Sequence, residues 1–342
     1  KKCNKFFWSL DQNKQICSDS SCTPYSFLNS PITKKKLDYV KMWKTFENFF
    51  KKNGHTSIAR YPVIDRVRPD LYFTIASIQD FQRIDKSGNM FFVYPFNPLI
   101  VPQMCLRFGD IQSVGVSGRH LTSFCMSGQH AFNIKNKGYF KNECIKYNFE
   151  FLTKELGIPD EELMYIEDIW HMPDFSAFGP CLETFSRGCE LVNSVFMQFQ
   201  ATGETNFKEL PLKVIDVGWG HERLTWFSNG TPTIYESTFG PIVNELKKKA
   251  GIKMNNELLA EITSGVSQVN FDKEGKNLEK IYQKLNISNN TLNKQLYPLQ
   301  AIYSICDHLR TILFAVSDGG IPSNVGGGYN LRVLLRRLFN FE

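Results

Sequence analysis

Residues 214–227, VIDVGWGHERLTWF, pass from a strand pattern to a helix pattern with no linker between them. Val214, Ile215 and Val217 favour a buried, pleated strand, while Gly218 and Gly220 let backbone or a ligand approach closely. From Glu222 the same run opens a helix. The chain is thereby committed to a strand that feeds directly into a helix. Asp216 is the anomaly, a carboxylate set inside the apolar stretch. A lone D-x-G-x-G can be no more than a turn whose aspartate bonds nearby backbone, and other segments must converge on it before it means more.

Composition narrows the setting. The 342 residues suffice for two domains, or for one large domain with an appendage. Hydrophobic residues at 42% and 29 phenylalanines allow a substantial core, which excludes a disordered or fibrous chain. The net charge of +6 permits nucleic acid as a partner, although ordinary solvated surfaces reach similar values. No apolar run approaches the roughly 20 residues of a membrane helix, and the opening KKCNKFFWSLDQNK has no signal-peptide core. Nine cysteines without regular spacing point to a reducing cytoplasm, with thiols or a metal rather than a disulfide frame. The six histidines form no H-x-x-x-H or H-E-x-x-H pair, which argues against a metallohydrolase.

Periodicity predicts an amphipathic helix over 37–55, ending at a glycine. An extended segment interrupted by Pro62 follows, suited to a sheet edge. Segments 99–111 and 119–128 read as two strands joined by QSVGVSG, 147–157 as a helix, and 190–200 as another strand. Residues 241–314 are largely helical, with a polar surface segment at 270–295. The simplest architecture is α+β: a mostly antiparallel core followed by a helical domain from about residue 240.

Read together, a strand pair with an early arginine (Arg107) and a later strand ending in GWGHER resemble motifs 2 and 3 of the class II aminoacyl-tRNA synthetases. The resemblance extends to CLRFGDIQSVGVSGRHLTSFCMSGQHAF, GPCLE, VFMQF, IDVGWGHERLTWFSNGTPT and DHLRTILFAVSDGGIPSNVGGGYNLRVLLRR, which are similar to the alanyl-tRNA synthetase family in its archaeal form. It covers essentially the whole chain, and the PSNVGGGYNLR run is its most specific part. It implies a Cys-bearing extension over 1–36, a class II catalytic domain of antiparallel sheet and flanking helices over 37–240, and a helical tRNA-recognition domain over 241–342. It implies ATP-dependent activation of alanine and its transfer to the 3′ end of tRNA(Ala), with ATP and Mg²⁺ as cofactors.

Residue roles follow from the same resemblance. Arg107 would grip the amino-acid carboxylate and the α-phosphate together, a task suited to a planar guanidinium fork. On residues alone, a surface cation is the alternative. Arg223 would lie over adenine or beside the γ-phosphate. Phe124 would stack on adenine, or else be ordinary core. Asp110 and Glu222 join this ATP set, as do Arg119 and His120, for which a surface pair is the alternative. Asp216 would take the substrate's ammonium group, with Trp170, Val195 and Gly218 around it, the first two walling a small side-chain pocket. Asn324 would read the G3·U70 pair of the acceptor stem, or else cap a helix beginning near Tyr329. Gly326–Gly328 would let backbone approach that stem, and Arg332, Arg336 and Arg337 would meet RNA phosphates. Cys3, Cys17 and Cys22 suit a structural zinc if a further donor joins them, since tetrahedral zinc takes four ligands; free thiols are the other reading. The family's editing domain is absent, so a separate C-terminal chain is an expected partner if this is not a fragment.

Four features depart from the family pattern: Cys125 in place of Glu, the 171–178 loop, Val217 in place of Thr, and His221 in place of an aliphatic residue. They are expected around the substrate pocket. They leave open a paralogue that activates another small amino acid, or a non-catalytic relative that binds amino acid or RNA.

Overall fold

The computed structural model describes residue 3 and residues 5–87, 90–135, 138–172, 175–203, 205–268 and 277–341. Residues 173 and 174 of the 171–178 loop, and 270–276 of the polar segment, lie outside the described residues. An eight-stranded sheet organises the chain. Its strands are β1 (Phe7–Ser9), β2 (Thr56–Ser57), β5 (Leu99–Leu106), β6 (Ser123–Ile134), β7 (Met164–His171), β8 (Phe178–Ser186), β9 (Cys189–Ala201) and β10 (Phe207–Gly220), in the order β1-β7-β8-β9-β10-β6-β5-β2. Every pairing is antiparallel except β2 with β5. A separate hairpin pairs β3 (Gln82–Ile84) with β4 (Met90–Phe92).

Period-two alternation along β10 assigns the two faces of the sheet. Ile215, Val217 and Trp219 enter the main apolar core under the helices. Val214 belongs to a smaller cluster with Val195 and Phe81, and Asp216 and Gly218 share its side. On the helical face lies α1 (Tyr39–Lys52), whose first turn is capped by the Asp38 carboxylate accepting from the Lys41 amide. Met42, Phe46, Phe49 and Phe50 form its buried stripe, and Phe46 meets the Trp219 ring edge-on at 5.6 Å. Between β6 and β7, α2 (Lys141–Glu150) runs into a wider π turn through Glu155. Helix α3 (His221–Asn229) starts at the residue after β10 and ends on Gly230, whose φ of 63° suits a left-handed cap.

Helices α4 (Ile234–Lys249), α5 (Asn256–Val266), α6 (Asn277–Lys284), α7 (Tyr297–Ser317) and α8 (Gly326–Phe339) complete the chain. The domain boundary expected at 240 coincides with a kink in α4, where Phe239 leaves helical geometry (φ −116°, ψ 15°) just before Pro241. Tyr235 of α4 stacks on Tyr303 of α7 at 4.7 Å, and its hydroxyl joins the Gly115 amide and the His120 carbonyl of the loop between β5 and β6. The helical region is therefore built onto that loop. At the other end, β1 adds the N-terminal extension to the sheet edge through β7.

Candidate active site

Strands β6, β9 and β10 floor a cavity of about 410 Å³, on the side of the sheet opposite α1. Asp216 lies at its base, in register with His130 of β6 and Val195 of β9. Burial pushes the Asp216 carboxyl up to about 7, against the downward pull of the Arg107 guanidinium. The His130 ring approaches it to 3.5 Å, but burial holds that imidazole down to about 3. The contact is therefore between a neutral ring and a carboxylate rather than an ion pair. A buried carboxylate with no cation in direct contact is a ready receptor for one.

Bulky side chains stand beside it. Trp170 of β7 and Val195 line the cavity and pack in one apolar cluster with Cys181. Gly218 completes the floor, where an added Cβ would meet the Met126 sulfur at 3.1 Å.

Guanidinium groups surround the upper part. Arg107 follows β5, donates from Nε to the Ile75 carbonyl at 3.0 Å, and lies over the Phe124 ring at 4.9 Å. Phe124 lines the cavity and is half-buried, which favours the stacking role over ordinary core. Arg223 of α3 is held by Glu190 at 2.7 Å, with much of its side chain exposed. Arg119 donates to the Ser20 hydroxyl at 2.7 Å and to Tyr25 at 3.2 Å, while its buried Nε has no partner among the described residues. His120 is pulled down to about 3, by burial first and then by Arg119 and Arg223. It can therefore offer a phosphate a hydrogen bond but no charge. Asp110 stands exposed on the rim.

Several expected residues already have partners within the fold. Glu222 reaches the cavity wall, but its buried carboxylate is committed to the Cys125 amide, the Tyr39 hydroxyl and Arg310, each at 3.0 Å. It braces the strand-to-helix junction rather than presenting a free anion to ATP. Arg337 is spent on His308, Gln112 and the Ile111 carbonyl, so it fastens α8 to the β5–β6 loop. Gly327 and Gly328 serve packing: added Cβ atoms would strike the Tyr72 ring and the Ser323 hydroxyl. Arg332, Arg336 and Asn324 are exposed. The Asn324 cap reading also fails, because α8 begins at Gly326 with Val325 as its N-cap.

The departures from the family pattern fall mostly elsewhere. Cys125 and His221 line a second cavity of about 500 Å³ on the helical side, with Tyr39, Trp43 and Arg310. Val217 is fully buried in the main core. Strand alternation explains this, since Met126 and Asp216, their immediate neighbours, face the catalytic cavity.

Two polar cavity residues were missed. Asn193 pairs with Gly218 across β9–β10, and Glu190 anchors Arg223. Stepping two residues back from Val195 would have put Asn193 on the same face. Nothing local marks Glu190. Away from the cavity, the Cys3, Cys17 and Cys22 sulfurs all lie within 4.8 Å of one another.

Residues 41–341 match the family described as tRNA synthetases class II (A), and the chain belongs to that family. More particularly, it is similar to curated proteins named alanine–tRNA ligase. It is 45% identical over 340 residues to that of Nitrosopumilus maritimus, covering 98% of this chain and 38% of the relative. The Cenarchaeum symbiosum protein is 46% identical over 340 residues, with 98% and 37% covered. The Methanococcus aeolicus protein is 41% identical over 350 residues, with 100% and 38% covered. The chain thus spans under two-fifths of the length of these curated relatives.

Proposed function

We propose that this chain activates alanine with ATP and passes it to the 3′ end of tRNA(Ala). One observation carries the reading: a buried carboxylate with no cation in direct contact, at the base of a cavity whose upper part holds three guanidinium groups. That polarity fits a zwitterionic amino acid lying under a polyphosphate. The ammonium meets Asp216, which leaves the amino-acid carboxylate toward Arg107. A carboxylate oxygen attacks the α-phosphorus, a new C–O–P link forms, and the P–O bond to pyrophosphate breaks. The side chains orient two anions and offset the charge growing on the phosphorus oxygens, so no strong base is needed. Mg²⁺ enters with the triphosphate, which supplies most of its oxygen ligands.

Trp170 and Val195 limit side-chain size, but a methylene or hydroxyl is worth only about 1–3 kcal/mol, so glycine and serine are weakly excluded. The names of the relatives support alanine. Exposed Asn324, Arg332 and Arg336 are the RNA-facing set of this reading, and a C-terminal portion, in the same chain or another, completes tRNA recognition and editing. Nine cysteines with no disulfide among the described residues suit the cytoplasm as its setting; among the described residues no helix is long and apolar enough to cross a membrane. Cys3, Cys17 and Cys22 form a zinc site in this reading. Tetrahedral Zn–S bonds of about 2.3 Å put sulfurs about 3.8 Å apart, which the observed cluster accommodates.

ATP–pyrophosphate exchange with glycine, alanine, serine, cysteine and 2-aminobutyrate tests the assignment. Alanine should give the highest kcat/KM. Exchange with another amino acid and none with alanine would hand the site to a paralogue.

A further inference from the structure

The thiol cluster and the catalytic cavity are joined by a short, fully traceable path. Cys17 and Cys22 flank a tight turn in which the Cys22 and Thr23 amides donate to the Asp19 carbonyl at 2.9 and 2.8 Å, and Thr23 Oγ1 donates to the Cys17 carbonyl at 2.8 Å. The Cys3 and Cys17 sulfurs stand 3.4 Å apart, and all three sulfurs lie within 4.8 Å of one another, close enough to share one ion. Cys17 and Cys22 pack against Met164, Ile166 and Phe185, which keeps the turn on the sheet edge.

Ser20 is in this turn, and its hydroxyl accepts from Arg119 Nη1 at 2.7 Å. Tyr25, three residues past Cys22, accepts from the same nitrogen at 3.2 Å, with its ring fixed edge-on against Phe27 and Trp226. Arg119 belongs to the loop between β5 and β6 and lines the catalytic cavity. Its clasp thus comes from the N-terminal extension, 99 and 94 residues earlier in the chain. The two acceptors differ in what holds them. Tyr25 is locked by aromatic packing, whereas the Ser20 turn is closed by a few hydrogen bonds and by whatever joins the three sulfurs.

We propose that a metal ion on Cys3, Cys17 and Cys22 sets the position of Arg119, through Ser20, for binding the phosphates of ATP. The metal's fourth position is taken by water or a further donor. Ser20 is a positioning residue, and Arg119 the group that meets the nucleotide. The inference rests on the ATP-binding reading above, but not on which amino acid is activated.

The test measures metal content and direct ATP binding separately. Protein expressed with zinc should hold one Zn²⁺ per chain by elemental analysis, and Co²⁺ replacement should give a thiolate-to-metal charge-transfer band. Cys17→Ser should lose both. ATP affinity by calorimetry should fall roughly five- to tenfold in Ser20→Ala, which keeps its metal, and by a similar factor in wild-type protein stripped with a chelator. Stripping the metal from Ser20→Ala should add little. Because Ser20→Ala and stripped wild type leave the cysteines in place, a failure of Cys17→Ser to fold does not decide the matter. Metal-free protein as isolated, or a Cys3–Cys17 disulfide, would overturn the metal site. Stoichiometric zinc with ATP affinity indifferent to both Ser20→Ala and stripping would overturn the coupling. Loss of exchange with every amino acid, with the ATP-binding pattern intact, would count against alanine activation while upholding the coupling of the thiol cluster to Arg119.

Discussion

Asp216 carries opposite consequences for folding and for binding. Its folded value of about 7 lies above the ordinary 3.8, so the folded chain holds that proton more tightly than the unfolded one. Below about pH 4 both states are protonated; as pH rises toward 7 only the unfolded state ionises, and stability falls. Asp216→Asn should therefore make the ligand-free protein more stable at pH 8, on the order of 2–4 kcal/mol. The gain should vanish by pH 4, as read by thermal unfolding at the two pH values. The same variant should raise the KM for alanine and leave ATP affinity nearly intact; an equal fall in ATP affinity would remove the ammonium role. In the unsubstituted protein, alanine binding should weaken as pH drops below about 7, because the carboxylate then accepts a proton. Arg107 acts on the other substrate end, and Arg107→Ala should slow exchange on the order of 10²–10³-fold, the scale for one preorganised donor. Both residues were legible as anomalies in their local runs, a carboxylate among valines and an arginine leaving a strand. Glu190 and the commitment of Glu222 were not, since each depends on a partner remote in sequence, Arg223 and Arg310 respectively.

At the scale of elements, α8 decides how the turn before it is read. The helix starts at Gly326, Val325 is its N-cap, and the Ser323 hydroxyl bonds the Val325 carbonyl. Asn324 takes no part in capping and stands exposed. Asn324→Ala should thus leave the melting temperature and alanine activation unchanged. It should lower transfer to tRNA bearing the G·U pair and narrow the gap from a G–C variant, whose minor groove differs in what it exposes. A drop in melting temperature with unchanged discrimination would restore a structural role. Long amphipathic elements such as α1 were legible because their apolar spacing is a local property. Strand β1 was not: three residues carry no periodic signal, and its partner β7 begins more than 150 residues later. The packing of α4 was hidden for a related reason, since the partner of Tyr235 is Tyr303 of α7, 68 residues away.

For the whole molecule, the residues assigned to activation all line one cavity, whereas the set proposed for tRNA is limited to exposed Asn324, Arg332 and Arg336. The 342-residue chain should therefore show full pyrophosphate exchange but slow charging of tRNA(Ala). A chain extended to the length of the relatives should charge roughly tenfold faster or more, the effect of about 1.4 kcal/mol of added contact. Equal charging by both lengths would locate identity within these residues. The sequence by itself determined the α+β class, the strand-to-helix junction and the residue types needed at the site, because propensity, period and motif are written within short runs. Only the tertiary structure decided which side of the sheet each of those residues serves. It turned Met126 toward the catalytic cavity and Cys125 away from it, and brought Ser20 to Arg119. Adjacent strand residues point in opposite directions, and a long-range partner is chosen by how the layers close on one another.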